Sequence, residues 1–161
     1  ALPESEQEIT DAFGALCDRA AAEDLRVSLE FMPFTGITDL AVALRIVSAA
    51  GRDNGGIMLD FWHHHRAGGS GSDLLQAPGS KIFAVQLDDA LAEPMADVME
   101  ETLNHRLLPG QGCIDLAGYM AALLTIGANP VYDVEVFNDA LRSESAPERA
   151  RQLYASCQVV L

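Results

Sequence analysis

Four residues with oxygen-bearing side chains each close a short apolar run: Glu30 in VSLEF, Asp60 in GIMLDFWH, Gln86 in IFAVQLDD and Glu135 in VYDVEVF. A helical pattern follows each one. If the runs are strands of one parallel α/β sheet, their C-terminal ends share a rim, where ligands bind. Three carboxylates and an amide oxygen gathered there make a hard, all-oxygen donor set of the kind that holds a divalent cation. Mg²⁺ or Mn²⁺ suits such donors better than Zn²⁺, which prefers imidazole or thiolate. The competing reading is that each residue is a solvated strand end. His63, His64 and His65 follow the second run, and consecutive side chains cannot share one face of a strand. His63 is the one expected to face the site, with His64 and His65 at the rim or in packing.

The elements that must position these residues are legible from periodicity. Ile9, Phe13, Leu16, Cys17 and Ala20 recur at helical spacing and predict a first helix from about Ser5 to Ala22. The first strand is expected near Arg26–Phe31, ended by Pro33 and Gly36. Thr38 is expected to cap a helix running to Ala50. Strands are expected at Gly56–Asp60, Lys81–Gln86 and Pro130–Phe137. The AGGSGS segment reads as a flexible loop before a short helix at Asp73–Gln76. Further helices are expected near Met95–Asn104, from Asp115 to about Ile126, and from Pro147 to about Cys157. Alternation of this kind argues for a parallel sheet of four βα units with right-handed crossovers, its apolar strands covered on both sides. A complete (β/α)8 barrel takes roughly 250 residues, so 161 residues as a single domain amount to half of one.

Composition narrows the partners. Lys+Arg is 10 against Asp+Glu 24, a formal net charge of -14. That field repels phosphate backbones and anionic lipid, so nucleic acid and membranes are excluded as expected partners. No apolar run approaches the roughly 20 residues of a membrane span. Cys17, Cys113 and Cys157 are scattered and form no C-x-x-C pair, which suits a reducing, cytoplasmic compartment. The first residues carry neither a basic region nor an apolar signal core, and the missing initiator Met marks a processed chain or an excerpt.

At five places in order the sequence resembles the xylose isomerase-like TIM barrels, the sugar phosphate isomerase/epimerase superfamily. LEFMP (Leu29–Pro33) is similar to that family's fifth strand. LDFWH (Leu59–His63) resembles its D-x-x-H, and AVQLDD (Ala84–Asp89) its seventh strand, usually H-x-x-D. RLLPGQGCID (Arg106–Asp115) resembles R-x-x-P-G-x-G-x-(I/L)-D, and VEVF (Val134–Phe137) the eighth strand. The likeness covers the C-terminal half of a (β/α)8 TIM barrel. It implies Glu30, Asp60, Gln86 and Glu135 as metal ligands, with His63 and Arg106 contacting a small carbohydrate-like substrate. It also implies Glu30 and Glu135 as acid and base. Gln86 departs from the usual histidine and is similar to 3-dehydroshikimate dehydratase-like members.

Three functions are therefore weighed. The first is a divalent-metal-dependent sugar (phosphate) isomerase or epimerase acting on a small ketose or polyol ketone through an enediolate. The second is a dehydratase of a 3-dehydroshikimate- or inosose-like ring, with His63 as base. The third is a non-catalytic half-barrel that forms a homo-oligomer or pairs with a missing N-terminal half. DNA-repair endonucleases of the same superfamily are disfavoured by the acidic charge and the histidine-poor site. Alternatives remain at single residues. Arg106 is either a substrate contact or a surface ion pair. Phe61 and Trp62 line the pocket or pack the wall. Asp88 and Asp89 are partners of the site or, more simply, surface charges.

Overall fold

The computed structural model describes residues 5–161. Helix α1 (Glu6–Ala21) starts at Ser5 with a reciprocal capping box: the Ser5 hydroxyl accepts from the Glu8 amide while the Glu8 carboxylate accepts from the Ser5 amide. It leads into β1 (Val27–Glu30). Helix α2 (Leu40–Ala50) is capped by Asp39, whose carboxylate accepts from Val42 N at 2.9 Å. Thr38, the expected cap, instead donates its hydroxyl to that carboxylate at 2.8 Å. Gly51 ends α2 at φ 65°, a left-handed conformation that glycine adopts without a Cβ clash. Then follow β2 (Gly55–Asp60), α3 (Phe61–Arg66), α4 (Gly71–Leu74), a 3₁₀ turn at Gly79–Lys81, β3 (Ile82–Leu87) and α5 (Val98–Asn104). The chain closes with α6 (Leu116–Thr125), β4 (Val131–Val134), α7 (Asp139–Ser143) and α8 (Ala146–Cys157). Helices α3 and α7 were not expected, and α4 begins inside the glycine-rich loop. Their apolar residues are too few to register a 3.6-residue period, so caps define them: Asp60 for α3 and Asn138 for α7.

The four strands are parallel and lie in the order β1-β2-β3-β4. Register decides what the sheet presents. Glu30 pairs with Met58, Asp60 with Gln86, and Gln86 with Asp133. Partners in a parallel ladder point to the same face, and so do residues two apart. Glu30, Asp60, Gln86 and, two residues past Asp133, Glu135 therefore emerge on one face. The opposite face carries Ile57, Leu59, Val85 and Leu87, all buried beneath the helices together with Phe13, Cys17, Ile46 and Val47. That layer is the hydrophobic core.

The expectation that helices cover both faces is corrected. The face carrying the four residues is open among the described residues: Met58 and Ala84 are half-buried, and Val131 is 69% exposed. It is the face a closed barrel turns inward. Gly56 on this face has the Phe83 ring against it; a built Cβ there comes 2.5 Å from the ring. Phe83 in turn carries the Arg26 guanidinium 3.5 Å over its centroid. Gly56→Val is accordingly expected to overpack the site and destabilise the chain by about 1–3 kcal/mol, measured as a lower urea midpoint with an unchanged slope.

Candidate metal centre

Asp60 is the junction between β2 and α3. It is the N-cap of α3, and its Oδ1 accepts the His63 amide at 2.7 Å. That spacing turns residue 63 back over its own cap, so D-x-x-H is a local device that joins the two residues. His63 Nε2 stands 3.9 Å from Asp60 Oδ2 and 3.6 Å from Glu30 Oε1. One ligand atom from each of Glu30, Asp60 and His63 lies within 4.8 Å of the others. The three histidines diverge because they sit on a helix, not because a strand alternates them. His64 is buried, its Nε2 3.0 Å from Ser70 O and its ring edge-on to Phe31 and Tyr119. The half-buried His65 meets Cys113 Sγ at 3.5 Å.

Gln86 is buried beside Asp60, and its Oε1 has no hydrogen-bond partner. A buried amide oxygen without a donor is costly unless something else satisfies it. Glu135 continues the β4 ladder by one residue, its amide donating to Leu87 O at 3.2 Å. The Gln86 side chain adjoins the Glu135 carboxyl and favours its charged form. The orphan oxygen, with carboxylates on either side, fits a divalent cation chemically.

Arg106 stands in the middle of this group. Its segment is stitched between the exits of β3 and β4: Arg106 N donates to Phe137 O, Leu107 N to Asp89 O, and Asn138 Nδ2 to Arg106 O. Arg106 is 2% exposed, which removes the surface ion-pair reading. Nη1 donates to Asp60 Oδ2 at 2.7 Å and Asp88 Oδ2 at 2.8 Å, with Glu135 Oε2 at 3.6 Å. Nη2 faces Thr102 Oγ1 at 2.8 Å and His63 Nε2 at 3.2 Å, and Nε donates to Thr102 O at 3.1 Å. Four of the five N–H groups thus donate to oxygens within the protein and the fifth is directed at His63, so a contact from Arg106 to substrate exchanges one of these.

Asp88 and Asp89 are both buried rather than on the surface. Asp88 Oδ1 accepts the Trp62 amide at 2.7 Å. Asp89 accepts from the backbone amides of Gly110, Gly112 and Ile114, and so folds the Pro109–Cys113 turn. Phe61 and Trp62 are fully buried. The reading of Asp88 and Asp89 as surface charges is thus corrected, because each carboxylate is taken up by donors on distant segments. Thr102, on α5, was not singled out by the sequence; its contact with Arg106 is made by the turn that follows the helix.

Burial and neighbouring charge set the protonation states. Burial, then the charges of Asp60 and Glu135, raises the Glu30 carboxyl to about 7. Glu135 is raised too, chiefly by burial. Burial lowers His63 to about 4, and the Arg106 charge adds to that, so its imidazole is neutral at pH 7. Burial and the Asp60 charge push Asp88 up. The Glu30 shift has a sign for stability. Between the ordinary value of 4.5 and about 7, the folded state holds a proton that the unfolded state has released. That contribution is full below 4.5 and lost as pH rises through about 7. Metal-free protein is therefore expected to lose stability from pH 5 to 8, and Glu30→Gln to flatten the slope, as read by urea melts across about six pH values. A pH-independent midpoint in the parent protein would count against the shift.

The group opens onto a cleft of about 320 Å³ whose walls include Met32, Phe34, Met99, Leu103 and Phe137. Carboxylates at the floor and apolar walls suit a small polyhydroxylated molecule with a C–H-rich face.

This fold and this rim define a TIM-type α/β half-barrel with a candidate metal site. The family model described as "Xylose isomerase-like TIM barrel" matches residues 2–157, and the chain belongs to that family. It is 34% identical over 148 residues to inosose isomerase of Bacillus velezensis, covering 91% of this chain and 52% of that protein. It is 36% identical over 143 residues to 3-dehydroshikimate dehydratase of Pseudomonas aeruginosa, covering 88% of this chain and 22% of that protein. Among solved structures, a crystal structure of the IolI protein with a bound zinc atom superposes with TM-score 0.89 at 32% identity, covering 96% of this chain and 55% of that one. The chain thus spans about half the length of the inosose isomerases it matches. These relatives are enzymes, of two reaction classes. Among the described residues no helix is long and apolar enough to cross a membrane.

Proposed function

We propose that this chain is the catalytic C-terminal half of a divalent-metal-dependent isomerase acting on a small ketose or cyclic polyol ketone of the inosose type. The observation that carries it is the single sheet face bearing Glu30, Asp60, Gln86 and Glu135, with the Gln86 oxygen unpartnered. Those four residues would hold the cation, Mg²⁺ or Mn²⁺ by the hardness of the donors, although the IolI crystal carries zinc. A bound divalent cation supplies a Lewis acid that polarises a substrate carbonyl. Beside that cation the Glu30 carboxyl would be held ionised, the form that can take a proton. Glu30 takes the proton from the carbon beside the carbonyl, leaving an enediolate; the hydroxyl proton on that carbon passes to the former carbonyl oxygen, and Glu135 delivers a proton to the former carbonyl carbon. In an epimerase the proton returns to the same carbon on the other face. Neutral His63 orients a substrate hydroxyl, and the apolar walls shed water from the reacting centre.

The second reading, dehydration of a 3-dehydroshikimate-like ring, is favoured by the 36% identity to the Pseudomonas dehydratase and by Gln86. There His63 takes the proton beside the carbonyl and hands it to the departing β-hydroxyl, which leaves as water. The protein is incubated in D₂O with inosose and with 3-dehydroshikimate, with Mg²⁺, Mn²⁺ or Zn²⁺ or with EDTA, and followed by NMR. Deuterium entry without loss of water, abolished by EDTA, is the expected result. Loss of water supports the dehydratase, and neither reaction under any metal sinks both. The free thiols of Cys17, Cys113 and Cys157 support a cytoplasmic setting. The open sheet face and unpaired outer edges of β1 and β4 among the described residues support assembly with the other half of the barrel or with a second copy. Light scattering reads that directly.

A further inference from the structure

The arginine at the centre of the site poses a problem. A guanidinium stays charged at any working pH. Its Nη1 already donates to Asp60 Oδ2 at 2.7 Å and lies 3.6 Å from Glu135 Oε2, two of the residues proposed to hold a cation, and left to itself it would close on Glu135 as well. Asp88 lies on the far side. Its carboxylate is fully buried, and both oxygens are committed, Oδ1 to Trp62 N at 2.7 Å and Oδ2 to Arg106 Nη1 at 2.8 Å. The first bond fixes Asp88 to the first turn of α3; the second pulls the guanidinium toward β3 and away from Glu135, which stands off at 3.6 Å. Thr102 anchors the other edge of the guanidinium through Nη2 at 2.8 Å.

We propose that Asp88 is a positioning residue that holds Arg106 back from Glu135, keeping that carboxylate free to take a divalent cation. The inference rests on the reading that a cation binds at this rim. It assigns no contact between Asp88 and cation or substrate; Asp88 acts through Arg106.

Asp88→Asn tests it selectively. The asparagine oxygen still accepts from Trp62 N, whereas its amide offers a donor to a donor and releases the guanidinium. Asp88→Ser, with a hydroxyl that also accepts from Trp62 N and no buried charge, serves if Asp88→Asn does not fold. The intact protein is titrated with Mn²⁺ and free Mn²⁺ is read by electron paramagnetic resonance. Asp88→Asn is expected to weaken Mn²⁺ binding about 10–100-fold, the usual effect of losing a partner behind a ligand. In an Arg106→Gln background (Arg106→Lys if that does not fold) the same change is expected to have less than about a threefold effect, since no guanidinium remains to be held. The fluorescence of Trp62, the single tryptophan of the chain, gives a readout without metal. The guanidinium carbon lies 5.1 Å from its ring, so Asp88→Asn should shift the emission and the Arg106→Gln background should cancel that shift.

Wild-type-like Mn²⁺ affinity in Asp88→Asn would overturn the proposal, as would an equal loss with and without Arg106. If the parent protein binds no Mn²⁺, the cation reading fails and the emission alone decides whether Asp88 holds Arg106. A lower melting temperature with unchanged emission and affinity would make Asp88 a helix cap and nothing more.

Discussion

Glu30→Gln is expected to cut kcat on the proposed ketone substrate by about 10²–10⁴-fold, the range that a positioned general base supplies. The same substitution is expected to leave the metal-free protein as stable as the parent at pH 5 and more stable at pH 8. The two effects have one cause. The site holds the Glu30 carboxyl at about 7 because it is partly buried beside Asp60 and Glu135. Glutamine keeps the shape and removes a charge the folded state disfavours, but it cannot take a proton. Loss of activity with a gain in stability is the signature of a residue kept for chemistry. Paired kinetics and urea melts at the two pH values measure it. A variant that loses stability at pH 8 in step with activity would make Glu30 a structural carboxylate.

Arg106→Leu is expected to cost about 3–5 kcal/mol, because it strands Asp60 and Asp88 as buried carboxylates without a counter-charge. The change should lower the melting temperature by roughly 6–20 °C for a chain of this size. Arg45→Leu is the control. Arg45 pairs with Glu6 at 2.8 Å, the same kind of contact, but both side chains are about half exposed. Water already solvates such a pair, and its loss should change stability by about 1 kcal/mol or less. Calorimetry of the two variants compares one arginine–carboxylate contact in two dielectrics. Equal losses would mean that the Arg106 cluster is wetter than its burial implies.

The site was legible as far as chain-local rules reach. Short apolar runs, each closed by an oxygen-bearing residue and followed by a helical pattern, mark Glu30, Asp60, Gln86 and Glu135 as strand-end residues, and the βα alternation makes the sheet parallel. The spacing of Asp60 and His63 is a helix-cap geometry that forms wherever the chain puts it, although the pattern WHHHR hid the helix itself. Asp88 and Asp89 looked like surface charges because acidic residues usually are. Their burial follows from partners 18 and 21 residues further on, Arg106 and Gly110, which no local pattern reveals.

Composition and periodicity thus determine the four βα units, the acidic surface and the four oxygen donors at strand ends, since backbone conformation and side-chain alternation are properties of neighbouring residues. Register put those donors on one face, and long-range folding put Arg106 among Asp60, Asp88 and Glu135. The shifted acidity of Glu30, the neutrality of His63 and the unpartnered Gln86 oxygen belong to the tertiary structure alone. Each depends on desolvation and on charges a few ångströms apart in space but distant along the chain, and those distances exist only once the chain has closed on itself.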